Sequence, residues 1–174
     1  MSGSNNSIIL QLARILDAPQ LLNIFSDPAV TKFTNFKQLN DVDSLQSFLE
    51  RFLIVCKGQP LQYGPYSILF NDEIVGLCGL QQRNINEGSA ELWYILDKSH
   101  WGKGLAKQAV QQLLKLCEAN SQLRSVYAEA VSTNKASWWI LKKAGFIQTG
   151  NIKNGFKKDD IIEDLYTFNY TFQA

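Results

Sequence analysis

The stretch that most constrains this chain is His100-Trp101-Gly102-Lys103-Gly104-Leu105-Ala106. It stands between a strand-like run, Glu91-Leu92-Trp93-Tyr94-Ile95-Leu96, and an amphipathic segment that starts near Gly104 and reaches about Asn120. A glycine-bearing turn that opens a helix leaves several main-chain N–H groups unpaired at the positive end of the helix dipole. Such a corner cradles phosphate, so the pattern predicts a ligand that carries a pyrophosphate. Spacing argues against two other phosphate loops. A mononucleotide P-loop needs glycine where Asp97 stands and Ser or Thr where Gly104 stands, and a dinucleotide fingerprint needs glycine at Lys107. A short Gly-x-Gly-x-Ala turn remains.

The elements around the turn follow from periodicity and turn chemistry. Ile8 to Ala13 reads as a first strand. Asp17-Ala18-Pro19 starts a helix, with Asp17 as its cap, that stops before Asp27-Pro28. A connection with Phe33, Asn35 and Phe36 follows. Asp43 or Ser44 then caps a second helix, with Leu45, Phe48, Leu49, Phe52 and Leu53 at helical spacing. Gly58 to Pro65 is a turn-rich break. Tyr66 to Phe70 and Ile74 to Leu80 form a hairpin across Asn71-Asp72-Glu73, and Asn84 to Gly88 turns into a strand from Ser89 to Leu96. Alternation along that strand puts Glu91, Trp93 and Ile95 on one face and Leu92, Tyr94 and Leu96 on the other.

After the glycine turn, Leu105, Ala109, Leu113 and Leu116 form an apolar stripe that Ala106, Val110, Leu114 and Cys117 widen. Arg124 to Val131 reads as a strand, and Asn134 to Ala144 as a short helix closed by Gly145. Phe146 to Asn151 and Ile161 to Tyr170 make a last strand pair, joined by a polar connection containing Gly155. The order is strand, two helices, three strands, helix, strand, helix, two strands. It predicts one mixed α/β domain over residues 1–174, with 1–7 as a flexible leader.

Composition removes several classes. The 174 residues suit one domain, and a net charge of +1 marks neither a nucleic-acid nor a membrane surface. No apolar run is long enough to span a bilayer, and the polar N-terminus lacks the order of a secretion signal. Three cysteines far apart and one histidine argue against a zinc site and against a disulfide framework, so no metal is expected. Free thiols point to a reducing cytoplasm.

Taken together, Trp101 to Ala106, the strand Glu91 to Leu96, Asn134-Lys135-Ala136-Ser137 and Lys143-Ala144-Gly145-Phe146 resemble the GNAT superfamily of acetyl-coenzyme A-dependent N-acetyltransferases. The branch with the ribosomal-protein N-terminal acetyltransferases is the most similar, and Asp27-Pro28-Ala29-Val30 also fits it. Where the family has Arg or Gln, this chain has Trp101, which is common in that branch. The resemblance implies an α+β fold with a central, mostly antiparallel sheet splayed between its fourth and fifth strands and flanked by helices. It also implies that amides of Trp101, Gly102, Lys103, Gly104, Leu105 and Ala106 hold the coenzyme A pyrophosphate. A main-chain N–H near Tyr94 or Ile95 would bind the thioester oxygen.

Acetyl transfer to an amine needs a proton acceptor, a stabilised carbonyl oxygen, a protonated leaving thiolate and alignment. Glu91 is the candidate base, placed as in some similar enzymes that act through water. Many relatives carry a tyrosine four residues before the helix-closing glycine, but this chain has Leu141 there. Ser137 lies one turn earlier on the same face and is the candidate donor near sulfur, with Asn134 as a pantetheine contact or helix cap. The connection with Phe33, Asn35 and Phe36 lines the acceptor side in similar proteins. His100, Trp138 and Trp139 read as structural. No activated cysteine or Ser-His pair is evident, which favours direct transfer from acetyl-coenzyme A to a primary amine. A protein or peptide N-terminal amine is the expected acceptor. The alternatives are a small amine, such as a polyamine or amino sugar, and a non-catalytic coenzyme A-binding module.

Overall fold

The computed structural model describes residues 7–57, 63–84, 88–119 and 123–173. The expected leader and the breaks near Gly58 to Pro65 and Asn84 to Gly88 fall largely outside them. Asn71 and Asp72 both take left-handed backbone, at φ 51° and 64°. That two-residue turn matches the twist of paired strands. It folds β2 (Pro65–Phe70) back on β3 (Glu73–Asn84). Antiparallel neighbours extend the sheet, with β1 (Ile9–Leu12) beside β2 and β4 (Ser89–Leu96) beside β3.

A helix, α4 (Leu105–Glu118), carries the chain across to β5 (Ser125–Val131), which runs parallel to β4. β7 (Ile161–Thr171) pairs antiparallel with β5, and β6 (Ile147–Lys158) pairs with β7. The strand order is β1-β2-β3-β4-β5-β7-β6. The parallel pair is short. Only Ser89, Ala90 and Glu91 are matched, with Ser125, Val126 and Tyr127, although both strands continue to Leu96 and Val131. The sheet is therefore forked beyond Glu91, as the resemblance implies.

Each face of the sheet has its own core. On one side α4 and α5 (Lys135–Lys143) pack with Leu92, Leu96, Val126 and Phe168. On the other, α1 (Ala18–Ser26) and α3 (Val42–Cys56) pack with Leu77 and Ile95. The alternation expected along β4 is therefore the observed one.

Several expectations change. Asp17 does not cap α1 with its side chain. Its own backbone is already helical (φ −79°, ψ −12°). Being buried, the carboxylate instead accepts from the Arg14 main chain and guanidinium and from the Ser67 hydroxyl. The cap of α3 is neither Asp43 nor Ser44 but Asp41, which is extended and accepts the Ser44 N–H at 2.7 Å. A further short helix, α2 (Pro28–Thr31), follows α1, capped by Asp27 on the Ala29 N–H. Leu116 is 44% exposed because the buried arc of α4 centres on Ala106, Ala109, Val110, Leu113 and Cys117. The polar connection around Gly155 is strand rather than loop. β6 reaches Lys158 and turns at Asp159 and Asp160, with a register shift between Ile152 and Phe156. An edge strand exposed along most of its length carries no apolar alternation to read.

Candidate active site

Gly102 and Gly104 sit at φ 75° and 77°. That left-handed backbone costs other residues about 1–2 kcal/mol. A Cβ at either position would meet nothing within 4 Å, so the surface above the turn is open. The first main-chain bond of α4 runs from the Gln108 N–H to the Gly104 carbonyl. Among the described residues, the amides from Gly102 to Lys107 donate to no protein group. They suit an anion. The Trp101 amide, expected to join them, instead donates to the Lys98 carbonyl at 3.2 Å and closes a 3-10 turn (Lys98–His100). Trp101 still shapes the corner, because its indole N–H bonds the Leu96 carbonyl at 2.9 Å. Lys103 is exposed beside the turn. His100 has Nδ1 3.0 Å from the Ser99 hydroxyl and an edge-on ring contact with Phe70.

Register separates Tyr94 from Ile95. The Asp97 N–H bonds the Val75 carbonyl directly across β3. In an antiparallel ladder the bonded residues alternate, so Ile95 and Trp93 also point their amides at β3. The N–H of Tyr94 faces the β5 side, into the fork. Of the two alternatives, Tyr94 is the one whose amide faces the fork.

The Tyr94 hydroxyl lies 2.8 Å from Ser137 Oγ and 3.3 Å from the Ser137 carbonyl. Burial pushes the phenol up to about 12, against the downward pull of the Ser137 bond, so Tyr94 keeps its proton at neutral pH. Asn134 caps α5, its Oδ1 accepting the Ser137 N–H at 3.3 Å. Leu141 is core, 1% exposed. Trp138 packs against that core, and Trp139 stacks on it at 5.1 Å while remaining 52% exposed.

Glu91 is half-buried at the closed end of the fork, opposite Gln81 on one side and Tyr127 on the other. Phe36 anchors the 32–41 connection by packing its ring against Phe25, Phe48 and Trp93. Phe33 is half-buried and Asn35 exposed. One cavity of about 670 Å³ joins these parts and is lined by every candidate residue named from the sequence except Lys103.

Glu129 also lines the cavity, and no role was expected for it. The Tyr127 hydroxyl donates to its Oε1 at 2.7 Å. The available signal was alternation: Val126, Ala128 and Ala130 are buried under α4, which turns Tyr127 and Glu129 to the face that carries Glu91. The cysteines stay apart from the cavity. Burial pushes the Cys117 thiol up to about 12 and raises Cys78 and Cys56 as well, so none is a ready nucleophile.

A forked mixed sheet whose cleft joins an open-amide turn to a carboxylate-bearing pocket is the architecture of a group-transfer domain. The chain belongs to the GNAT family: residues 7–147 match the acetyltransferase (GNAT) domain. It is 29% identical over 164 residues to the uncharacterised N-acetyltransferase p20 of Bacillus licheniformis, covering 93% of this chain and 91% of that one. Among solved structures it resembles RimL, the ribosomal L7/L12 alpha-N-protein acetyltransferase in complex with coenzyme A. That match has a TM-score of 0.87 and 17% identity over 97% of this chain and 96% of the other. It also resembles the spermidine N-acetyltransferase of Vibrio cholerae in complex with coenzyme A and spermine, at TM-score 0.81 and 17% identity over 96% of each chain. These structural likenesses establish the fold. No described helix is long and apolar enough to cross a membrane.

Proposed function

We propose that this protein moves an acetyl group from acetyl-coenzyme A directly to a primary amine, and that the amine is a protein or peptide N-terminus. The observation that carries this reading is the continuity of the cavity from the open amides of Gly102 to Ala106, through the fork, to Glu91 and the 33–36 wall. When bound, acetyl-coenzyme A supplies an acetyl group activated on sulfur. The remaining work falls to the chain.

Open amides at the start of α4 hold the diphosphate. The Tyr94 N–H, facing the fork, polarises the acetyl oxygen. Glu91 takes the proton that the amine loses as its nitrogen bonds to the acetyl carbon and the carbon–sulfur bond breaks. Ser137 hydrogen-bonds the departing thiolate, with Tyr94 fixing its hydroxyl at 2.8 Å.

A small polyamine as acceptor is a second reading, favoured by one observation: two carboxylates, Glu91 and Glu129, line the same cavity. Thiol release from acetyl-coenzyme A, measured across N-terminal peptides and small amines with E91Q beside wild type, tests both. Turnover restricted to peptides supports the first reading, and turnover restricted to polyamines the second. Binding of coenzyme A without turnover on any amine would make the protein a binding module.

A further inference from the structure

At the tip of the β6–β7 hairpin, the Lys158 ammonium meets three carbonyls of another segment. Its Nζ donates to Thr31 at 2.6 Å, Phe36 at 2.8 Å and Thr34 at 3.1 Å. All three N–H donors of the ammonium are thereby used. The Thr31 carbonyl ends α2 and also accepts from the Thr34 N–H at 3.1 Å and the Thr34 hydroxyl at 3.0 Å, so the ammonium adds to a turn that is already hydrogen-bonded. Lys158 is half-buried, and desolvation lowers its pKa against the opposing charge of Asp159. A side chain there for filling alone would not need a charge, because burying an ammonium is costly without such partners.

The two joined segments form different walls of one cavity. Phe33, Asn35 and Phe36 stand on the connection, and Gly155 and Phe156 on the hairpin. Phe36 already anchors one side of the connection through its ring contacts. The main chain between Thr31 and Phe36 is gathered on its other side by Lys158. We propose that Lys158 is a positioning residue for the acceptor amine: by collecting three carbonyls on one charge, it fixes the 31–36 connection as a wall of the acceptor pocket. It touches no reacting atom. The assignment rests on the proposed acetyl transfer, which makes this wall the acceptor side.

The test compares wild type, K158M and K158R in steady-state acetyl transfer to the best amine of the panel, together with amide hydrogen exchange of the ligand-free proteins. K158M is expected to raise the KM for the amine by about tenfold or more, with the KM for acetyl-coenzyme A and kcat at saturating amine within about twofold of wild type. K158R restores the charge in a planar fork that suits three convergent carbonyls less well, and recovers part of the loss. Exchange in K158M rises at residues 32–37 and stays at wild-type rates in α4. Should K158M not fold, K158Q carries the same comparison. An unchanged amine KM, equal rises in both KM values, or faster exchange throughout the molecule would overturn the role of Lys158. A wild-type protein that acetylates no amine would overturn the reading of the site itself, and the acceptor role with it.

Discussion

Three side chains on β4 and α5 divide the proposed chemistry, and single substitutions separate them. E91Q keeps the shape of the side chain and removes the proton acceptor, so kcat is expected to fall by about 100-fold or more in a thiol-release assay. Y94F removes the phenol 2.8 Å from Ser137 Oγ while keeping the ring that packs in the core. Its expected signature is a smaller fall, about tenfold in kcat, with coenzyme A affinity unchanged. With burial holding the Tyr94 phenol near 12, wild-type activity should show no loss from this group between pH 7 and pH 10. These positions were legible to different degrees. The alternation of Glu91 and Tyr94 was plain, because both faces of β4 are otherwise apolar. The bond between Tyr94 and Ser137 was not, because 43 residues separate them and only packing of α5 on the sheet brings them together. Glu129 is not legible in the sequence even though its strand is, since a carboxylate on a short strand gives no sign by itself of facing a cavity.

Helix and hairpin ends govern how those side chains are presented. N134A would remove the cap whose oxygen accepts the Ser137 N–H. The cost should be about 1 kcal/mol. In a domain of this size that is a fall of roughly 2–4 °C in Tm by thermal denaturation, and kcat should fall with it because Ser137 sits in the uncapped turn. On the hairpin, Asp164 accepts the Asn154 N–H and an Asn151 amide, which hold its carboxyl below the ordinary value of 3.8. A carboxyl with a lowered folded value stabilises the folded form above the unfolded pKa, and that contribution is lost as pH falls through the folded value. Protection of the Asn154 amide, taken relative to the intrinsic exchange rate at each pH, should therefore fall on acidification below about pH 4, and D164N should show the lower protection already at neutral pH.

Such ends were the least readable features. Asp41, Asp43 and Ser44 are all competent caps by composition, and backbone geometry alone selects Asp41. The far half of β6 gives no strand signal in the sequence because Phe156 is its one buried apolar residue, with Lys158 half-buried and the rest exposed. By contrast, β4 and α4 were legible almost to the residue, since α4 buries one continuous face and β4 is apolar on both.

Ligand binding across the whole cleft couples to global stability. Coenzyme A that binds only the folded state should raise apparent stability by about 2.7 kcal/mol at a hundredfold excess over Kd, readable as a Tm increase. G104A introduces strain at φ 77° and a methyl group at the open turn, so the Tm shift produced by the same coenzyme A concentration should shrink. Forking of the sheet could not be read from composition or spacing, since it is the absence of pairing between two good strands.

The strand order has one more consequence. β7, later in the chain than all its neighbours, lies between β5 and β6 rather than at a margin. During synthesis the half-made protein therefore presents a gap where an interior strand belongs, with β5 offering unsatisfied main-chain groups to any passing extended chain. The vulnerable interval closes only once β7 is free to insert, so released chains truncated at about residue 160, which hold β5 and β6 but lack β7, should be the species most apt to aggregate or engage chaperones.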